Sequence, residues 1–262
     1  MEKVPVTVAV IAKNEEKRLD ECLLSVSNWA AEIVVVDDAS TDRTSEIARK
    51  YTSRVLQRTM DIEGRQRNFA YAQSSQPWVL SLDADERVTP GLAEEIRTAL
   101  AQAPQEVVCF AIPIKTFIGK QWIQGAGYYP ASKTRLFRSG KFKYEEARVH
   151  PRALYEGKCN QLKGDILHYS CENLEQWLHK FNRETTLEAE KWILDGRRVS
   201  MFSCLRKSVD RFLKNYFLKE GWKFGFWGYT MSVFHGLYQL LSYAKYREAL
   251  QKRSAPSPSA TS

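Results

Sequence analysis

Residues 78–86 read WVLSLDADE, and this stretch decides the fold class. Its first five residues carry no charge, a pattern typical of a β-strand that is buried on both faces of a parallel sheet. The stretch then ends abruptly in Asp83-Ala84-Asp85, which places two carboxylates one residue apart at a strand terminus. Open α/β sheets bind ligands at the carboxyl ends of their strands, so these aspartates lie where a ligand is expected.

The chain before this stretch alternates between strand and helix patterns. Strands are predicted from β-branched or apolar runs at residues 6–12, 33–36 and 55–56. Helices are predicted from apolar residues at helical spacing, at residues 15–29, 42–51, 64–74 and from Pro90 onward. This order predicts an α/β fold with a mostly parallel, Rossmann-like sheet and helices on both faces.

After Val107 the pattern changes to shorter strands joined by turns. These strands are predicted at residues 107–117, 134–137, 141–144, 153–155 and 166–169. A long helix and a very aromatic helical segment follow, at residues 174–194 and 202–250. We therefore expect a sheet domain over residues 1–195, a helical extension over 196–250 and a disordered Pro/Ser-rich tail over 251–262.

Composition limits the class of protein. The chain has 262 residues, 44% of them hydrophobic, which suits one large domain with an appendage. The formal net charge of +8 favours acidic partners such as phosphates, nucleic acid or anionic lipid. The five cysteines form no CxxC pair, which argues against a zinc site or a disulfide framework and fits a reducing compartment. The N-terminal residues lack the basic start of a signal peptide, so we expect a cytoplasmic protein.

Polar clusters follow several of the predicted elements. Asn14-Glu15 follows the first strand, Asp37-Asp38 closes the second, and GRQRN at residues 64–68 opens the helix before Asp83. Equivalent strand ends meet at one edge of a sheet, so these clusters are expected to converge on one crevice. Asp83 and Asp85 can share Mg²⁺ or Mn²⁺, and arginines suit phosphate oxygens. For the aspartate pair alone, a polar turn that caps the next helix is the alternative.

The segments VAVIAKNEE, IVVVDDASTD, GRQRN and WVLSLDADE together resemble the inverting glycosyltransferases of family 2, which have the GT-A fold. The resemblance implies a nucleotide-sugar donor, with UDP as the carrier, and a divalent metal, Mg²⁺ or Mn²⁺. It implies that Ala12, Asn14 and Glu15 line the nucleoside pocket and that Asp38 accepts a hydrogen bond from the base. It also implies that Arg65 and Arg67 lie near the diphosphate and that Asp83 and Asp85 bind the metal. Because it would hold the metal, Asp85 is also a catalytic candidate.

The likeness continues through KTRLFRSGKFKYEEARVHPRALYEG, GDILHYS and LEQWLHKFNRETTLEAE, which resemble the branch that adds β-1,4-linked glucose to the lipopolysaccharide core. It implies transfer of a hexose to a saccharide of the bacterial cell envelope. An inverting transfer needs a base for the acceptor hydroxyl, and the candidates are Glu146, then Glu145, with His150 as a helper. An exposed charged turn is the alternative for each. The branch commonly reads Val-His-Glu where this chain has Val149-His150-Pro151, so one expected carboxylate is missing.

Other reactive side chains are expected to be structural. His168 alternates with its neighbours on a predicted strand and His179 lies on a predicted helix, and no histidine pair has metal-ligand spacing. Cys159 and Cys171 are too isolated to be interpreted as nucleophiles.

The C-terminal part combines basic and aromatic residues. Six basic residues interleave with large apolar ones over residues 206–223, which predicts an amphipathic helix on an anionic bilayer. Residues 224–244 contain no Asp, Glu, Lys or Arg. We expect them at the membrane interface too, with a buried core helix as the first alternative and a membrane span as the second. The expected location is peripheral, at the inner face of the cell membrane.

Two other functions are open from the residues. A sugar nucleotidyltransferase also uses paired aspartates, but it favours a glycine-rich phosphate loop, and IAKNEEKRL contains no glycine. A non-enzymatic protein that binds nucleic acid or another anionic surface fits the net charge. However, the clusters at the sheet edge are largely acidic and repel phosphodiester groups, so we expect no nucleic-acid partner.

Overall fold

The computed structural model describes residues 2–146 and 152–254. The α-helices within these residues are α1 Leu19–Ser27, α2 Thr44–Arg49, α3 Glu63–Ala72, α4 Pro90–Gln102, α5 Leu174–Leu194, α6 Met201–Leu213 and α7 Gly225–Ser254. The strands are β1 Val4–Ala12, β2 Ala30–Asp37, β3 Val55–Gln57, β4 Trp78–Asp83, β5 Glu86–Val88, β6 Val107–Ile118, β7 Gln121–Trp122, β8 Ser132–Arg138, β9 Phe142–Tyr144, β10 Ala153–Tyr155, β11 Lys158–Gln161 and β12 Ile166–Cys171.

The main sheet has the strand order β3-β2-β1-β4-β8-β6-β12-β5, and β7 and β11 pair with β6. The first four strands of this order run parallel to one another. In contrast, β8 runs antiparallel to both β4 and β6. The parallel half is the part that the alternating strand and helix patterns predict, and the strands added after it make the sheet mixed.

Alternate residues of β1 point to opposite faces of the sheet. Val8 and Val10 lie in a buried cluster with apolar residues of α1, α2 and α4, whereas Ala9 lies in a second cluster with residues of α3. Helices therefore cover both faces, and the predicted α/β class is confirmed. Each fully buried valine contributes roughly 1.5–3 kcal/mol, which explains why this strand carries no charge on either side.

The first helix begins later than the sequence predicts. Helical spacing favoured a start at Glu15, but Asn14 adopts a left-handed conformation with φ of 53°, and α1 begins at Leu19. The backbone N–H groups of Glu15 and Glu16 donate to the side chains of Thr44 and Asp42. These side chains replace helical partners, so the residues before α1 form a turn at the end of β1.

The chain divides into two compact units, Met1–Phe117 with Pro130–Ser170 and Ile118–Tyr129 with Cys171–Ser262. The whole of α5 belongs to the second unit. The division therefore lies before α5, whereas the sequence places a domain boundary after residue 195.

In the second unit, α7 packs against both α5 and α6. Its residues Met231, Ser232 and Gln239 are buried. Most of residues 224–244 thus belong to a core helix, the first alternative to the expected interfacial position, while Phe226 near its start is exposed. Among the described residues, no helix is both long and apolar enough to cross a membrane. The helix continues to Ser254, so residues 251–254 are helical and not disordered as predicted. Residues 255–262, the rest of the predicted tail, lie outside the described residues.

His235 on α7 links the stability of the second unit to pH. Burial, together with the positive charges of Lys219 and Arg211, lowers the pKa of His235 to about 4 from an ordinary value of about 6.5. The unfolded chain therefore takes up a proton between pH 6.5 and 4 that the folded chain does not. The free energy of unfolding is expected to fall as the pH drops through this window, by about 2 kcal/mol between pH 7 and 5.

Urea unfolding at the two pH values measures this effect. The variant His235→Gln removes the titrating group and is expected to flatten the pH dependence, while His179→Gln, at an exposed position of α5, is the matched control. An equal fall in stability for wild type and His235→Gln would assign the effect to other groups.

Candidate active site at the carboxyl edge of the parallel strands

Asn14 and the loop after β2 join the ends of β1 and β2. The Asn14 backbone N–H donates to the Ser40 hydroxyl at 2.9 Å, and the Asn14 side-chain carbonyl accepts from the Thr41 N–H at 2.8 Å. Ala12 is the last residue of β1 and Glu15 follows Asn14 directly. The three residues predicted to line a nucleoside pocket therefore share one fixed edge, and that role stays a prediction.

Asp38 is 4% exposed and both of its carboxylate oxygens have partners. Oδ1 accepts from the backbone N–H of Met60 at 2.7 Å, and Oδ2 pairs with Nζ of Lys13 at 3.0 Å. The side chain thus holds the segment after β3 against the end of β1. Each carboxylate oxygen has two lone pairs, so Asp38 can accept the predicted hydrogen bond from a base ring in addition to these two partners.

Asp83 lies between two buried guanidinium groups. Nη1 of Arg67 is 2.7 Å from Oδ1, and Nη2 of Arg135 is 2.6 Å from Oδ2. The same Nη2 donates to Glu86 at 2.5 Å, and the other oxygen of Glu86 accepts from the Asp83 backbone N–H at 2.9 Å. Arg135 and Glu86 are 2% and 1% exposed, so these charges are balanced by one another and not by water.

The protonation of Asp83 follows from this pairing. Burial disfavours its carboxylate, but the positive charges of Arg135 and Arg67 outweigh burial and hold the pKa of Asp83 well below its usual range. Burial raises the pKa of Glu86, and Arg135 opposes that shift. Asp83 is therefore the firmly charged partner of both arginines at neutral pH.

Asp85 contacts two side chains from outside its own loop. Its Oδ2 lies 3.4 Å from Nε2 of His168 on β12 and 3.6 Å from Nη1 of Arg18, just before α1. Nδ1 of His168 lies 3.3 Å from the Thr116 hydroxyl on β6, and this contact orients the ring. Glu15 holds Arg18 through contacts of 2.7 and 2.8 Å. The loops after β1 and β4 and the middle of β12 therefore contribute to one polar cluster.

The side chains around Asp85 suit a divalent cation better than those around Asp83. Both oxygens of Asp83 pair closely with guanidinium groups, at 2.7 and 2.6 Å. Asp85 has a longer guanidinium contact, 3.6 Å to Arg18, and its carboxylate lies beside the His168 imidazole, an arrangement that offers an oxygen and a nitrogen side by side. Mn²⁺ accepts both kinds of ligand, and substrate phosphates and water complete the shell of such ions. In the part of the chain that the structure describes, no group of three or more His, Cys, Asp or Glu is arranged to hold a metal.

Glu145 and Glu146 follow β9 and lie beside the N-terminus of α3. Glu146 Oε2 accepts from Nε and Nη2 of Arg65 at 3.1 and 3.0 Å. Each oxygen of Glu145 accepts from Arg152 at 3.0 Å. Both carboxylates are thus paired with arginines, and of the two Glu146 is the one that faces α3. His150, the third candidate for the base, lies outside the described residues.

Gly64 sets the distance between α3 and this acidic segment. A Cβ at Gly64 would overlap the backbone carbonyl of Glu145, because the helix and the segment touch there. One turn later, Asn68 exchanges two hydrogen bonds of 2.8 Å with the Tyr144 backbone. The GRQRN stretch therefore fixes the acidic segment while its two arginines reach different carboxylates.

Sequence reasoning missed four members of the site. They are Arg18, Glu86, Arg135 and His168. A charge inside the otherwise apolar strand at residues 134–137 marks Arg135 as unusual, and Glu86 directly follows the aspartate pair. His168 was expected to be structural, yet it lies against Asp85, because β12 joins the sheet between β6 and β5.

The chain is similar to a known protein family, to individual glycosyltransferases and to a solved structure. The family model described as Glycosyl transferase family 2 matches residues 7–153. A lipopolysaccharide core biosynthesis glycosyltransferase, LpsC of Rhizobium meliloti, is 31% identical over 265 residues, which cover 96% of this chain and 96% of that protein. An uncharacterized glycosyltransferase of Rickettsia typhi is 29% identical over 93% of this chain and 87% of its own. Among solved structures, S. aureus TarS 1-349 in complex with UDP has a TM-score of 0.49 at 16% identity, with coverage of 98% and 93%.

Proposed function

The chain belongs to glycosyltransferase family 2, and from this premise we propose that it transfers a hexosyl group from a UDP-sugar to a hydroxyl of a cell-envelope saccharide, with inversion at the anomeric carbon. Membership of this family favours the transferase over the two alternatives, a sugar nucleotidyltransferase and a non-enzymatic protein that binds anionic surfaces. The acceptor class is supported by the name of the R. meliloti relative, a lipopolysaccharide core biosynthesis enzyme.

The pairing of Asp85 with His168 carries the proposal. Two side chains distant in sequence, one from the loop after β4 and one from β12, meet 3.4 Å apart beside Arg18. Arg67 pairs with Asp83, two residues before Asp85. A carboxylate and an imidazole beside cationic groups suit the diphosphate of a nucleotide sugar with its divalent cation. No other cluster described above combines these features.

We assign Asp85 and His168 as the protein ligands of Mg²⁺ or Mn²⁺. When bound, the ion neutralises negative charge on the departing diphosphate. The sequence predicts Asp83 as a second carboxylate ligand, and its two arginine contacts favour a different role. In this proposal, Asp83 positions Arg67 at the edge where the diphosphate binds.

Arg65 connects donor binding to the base. Its pair with Glu146 is about half exposed on both sides, and water and salt weaken ion pairs of this kind. A diphosphate carries more charge than one carboxylate and can take Arg65 from Glu146 at little cost. Glu146 is then free to accept the proton of the acceptor hydroxyl.

These groups account for the bonds, the proton and the leaving group of the transfer step. The acceptor oxygen forms a bond to the anomeric carbon while the bond from that carbon to the diphosphate oxygen breaks. The hydroxyl proton passes to the Glu146 carboxylate, and UDP leaves with its charge balanced by Arg65 and Arg67. Attack from the face opposite the leaving group inverts the anomeric carbon.

Replacing Glu146 by glutamine is expected to lower turnover by about a hundredfold, the lower end of the range for general base catalysis. The matched variant Glu145→Gln removes a neighbouring carboxylate that is paired with Arg152 and is expected to have a much smaller effect. Turnover is measured as UDP release at saturating donor. A larger loss for Glu145→Gln than for Glu146→Gln would move the base to Glu145.

The acceptor class sets the proposed location. A lipopolysaccharide core precursor is a glycolipid, so we place the reaction at the cytoplasmic face of the cell membrane, with the protein bound peripherally. The excess of basic residues suits the anionic acceptor and lipid.

Calorimetric titration with UDP and with several UDP-sugars, first with Mn²⁺ and then with EDTA, tests the proposed function. Binding that requires the metal supports a nucleotide-sugar transferase, and the sugar that binds most tightly identifies the donor. If neither UDP nor any UDP-sugar binds under either condition, the proposal of a UDP-linked donor is wrong.

A further inference from the structure

The helix α6 has its large apolar residues on the outside. Phe202 is 78% exposed, and Met201, Leu205, Val209 and Leu213 are each more than 40% exposed. Positions 201, 205, 209 and 213 are four residues apart, so these side chains form one stripe along the helix. A helix that faces water on this side would carry polar residues there.

The inner side of α6 has the opposite character. Its buried residues are small or polar: Cys204, Ser208 and Asn215, the last of these just beyond the helix end. The Ser208 hydroxyl donates to the Gly236 carbonyl at 3.0 Å, and the Cys204 thiol donates to the Gln239 carbonyl at 3.4 Å. Contact with α7 thus uses small groups, and the apolar stripe does not serve the core of the unit.

The apolar surface continues past the end of α6. A short π-helix spans Lys214–Leu218 and a 3-10 turn spans Gly221–Phe224. Leu218 is 80% exposed, and Phe217, Trp222 and Phe226 are also exposed. We call these residues, together with the stripe on α6, the outer face. Isolated exposed apolar residues are ordinary, but so many within one segment of 26 residues, 201–226, favour a binding surface.

The charges around the outer face select its partner. The segment from residue 197 to 223 contains eight basic and two acidic residues. Lys207, Lys214, Lys219 and Lys223 are all exposed beside the apolar residues. A two-fold dimer through this face would set one basic surface against the same surface of a second copy, with mutual repulsion. A bilayer with anionic headgroups complements both the charge and the apolar stripe.

We propose that the outer face, from Met201 to Phe226, is the surface by which this protein lies on an anionic bilayer. The helix α6 lies in the plane of the membrane with its apolar stripe at the boundary between headgroups and acyl chains, and the lysines contact lipid phosphates. The inference rests on this surface alone and does not depend on the proposed transfer reaction.

Sedimentation with vesicles tests this inference on the full chain, with no donor or acceptor present. Binding is expected to vesicles of phosphatidylcholine with phosphatidylglycerol and to weaken as salt is added. The pair Leu205→Gln and Val209→Gln is expected to reduce the partition coefficient at least tenfold, because each substitution removes apolar area that would be buried in lipid. Leu24→Gln, at an exposed apolar position of α1, is the matched control.

A charge-reversal variant, Lys207→Glu with Lys214→Glu, keeps the apolar stripe and the fold and is also expected to reduce binding at least tenfold. Equal partitioning of wild type and both double variants would overturn the proposal. So would self-association of the wild type in lipid-free solution that Leu205→Gln and Val209→Gln abolish, if vesicle binding stays unchanged. That outcome would make the outer face a dimer interface.

Discussion

The variant Asp85→Asn is expected to lose about a thousandfold in turnover while it keeps its fold. The substitution removes the carboxylate that pairs with His168 and Arg18 but preserves the size of the side chain. Loss of charge stabilisation at the departing diphosphate by about 4 kcal/mol corresponds to this factor. Turnover is measured as UDP release across a series of Mn²⁺ concentrations, and the fold by thermal unfolding.

A matched control is available on the neighbouring helix. Asp20 lies on α1, in the same unit, and accepts from the Tyr51 hydroxyl at 3.1 Å. Asp20→Asn makes the same chemical change outside the site and is expected to leave turnover unchanged. Turnover of Asp85→Asn at the wild-type level, with the same dependence on Mn²⁺, would remove Asp85 from the metal site.

The second large effect concerns stability. Arg135→Met is expected to lower the free energy of unfolding by about 3–5 kcal/mol, because it leaves the buried carboxylates of Asp83 and Glu86 without their shared partner. Methionine fills a similar volume, so the loss of stability would come from the missing charge and not from a cavity. Urea unfolding measures the change.

Two further variants separate charge from packing. Adding Glu86→Gln to Arg135→Met removes one of the stranded charges and is expected to restore part of the lost stability. Arg135→Lys keeps the positive charge, but its ammonium group lacks the planar guanidinium that contacts both carboxylates. We therefore expect an intermediate loss of stability. A loss below about 1 kcal/mol for Arg135→Met would show that the buried charges do not depend on Arg135.

The parallel half of the fold could be predicted because burial on two faces leaves a simple pattern. Residues of β1 and β4 are uncharged until the strand ends. Lys13 and Asn14 directly follow β1, and Asp83 is the last residue of β4. The position of the candidate site could therefore be predicted from the ends of these strands. The family resemblance gave these positions their expected roles.

The contacts that complete the site depend on pairing that local patterns do not encode. Arg135 reaches Asp83 because β8 runs antiparallel to β4, with Leu136 opposite Leu80. His168 reaches Asp85 because β12 enters the same sheet late in the chain. Neither register can be predicted from a single sequence, since alternation specifies which face a residue occupies and not which strand lies beside it.

The sequence did not predict the core position of α7, because helix packing is not visible in local patterns either. Its Ser232, Gln239 and Gly236 make the segment less apolar, which favoured a position at the membrane interface over a buried one. In the structure these small and polar groups permit close contact between helices, and Ser208 of α6 packs directly on Gly236. The exposed apolar stripe lies on α6 instead, as part of the outer face.

The balanced charges at Asp83 bear on the order of events in a catalytic cycle. Since Arg67 and Arg135 already neutralise this carboxylate, cohesion of the sheet edge does not require a cation. In the proposed site, Asp85 and His168 would supply two ligands of the several that Mg²⁺ or Mn²⁺ takes, so donor phosphates would provide much of the affinity for the ion. If these two residues hold the ion only together with donor phosphates, a chelator would inhibit turnover reversibly without lowering the melting temperature.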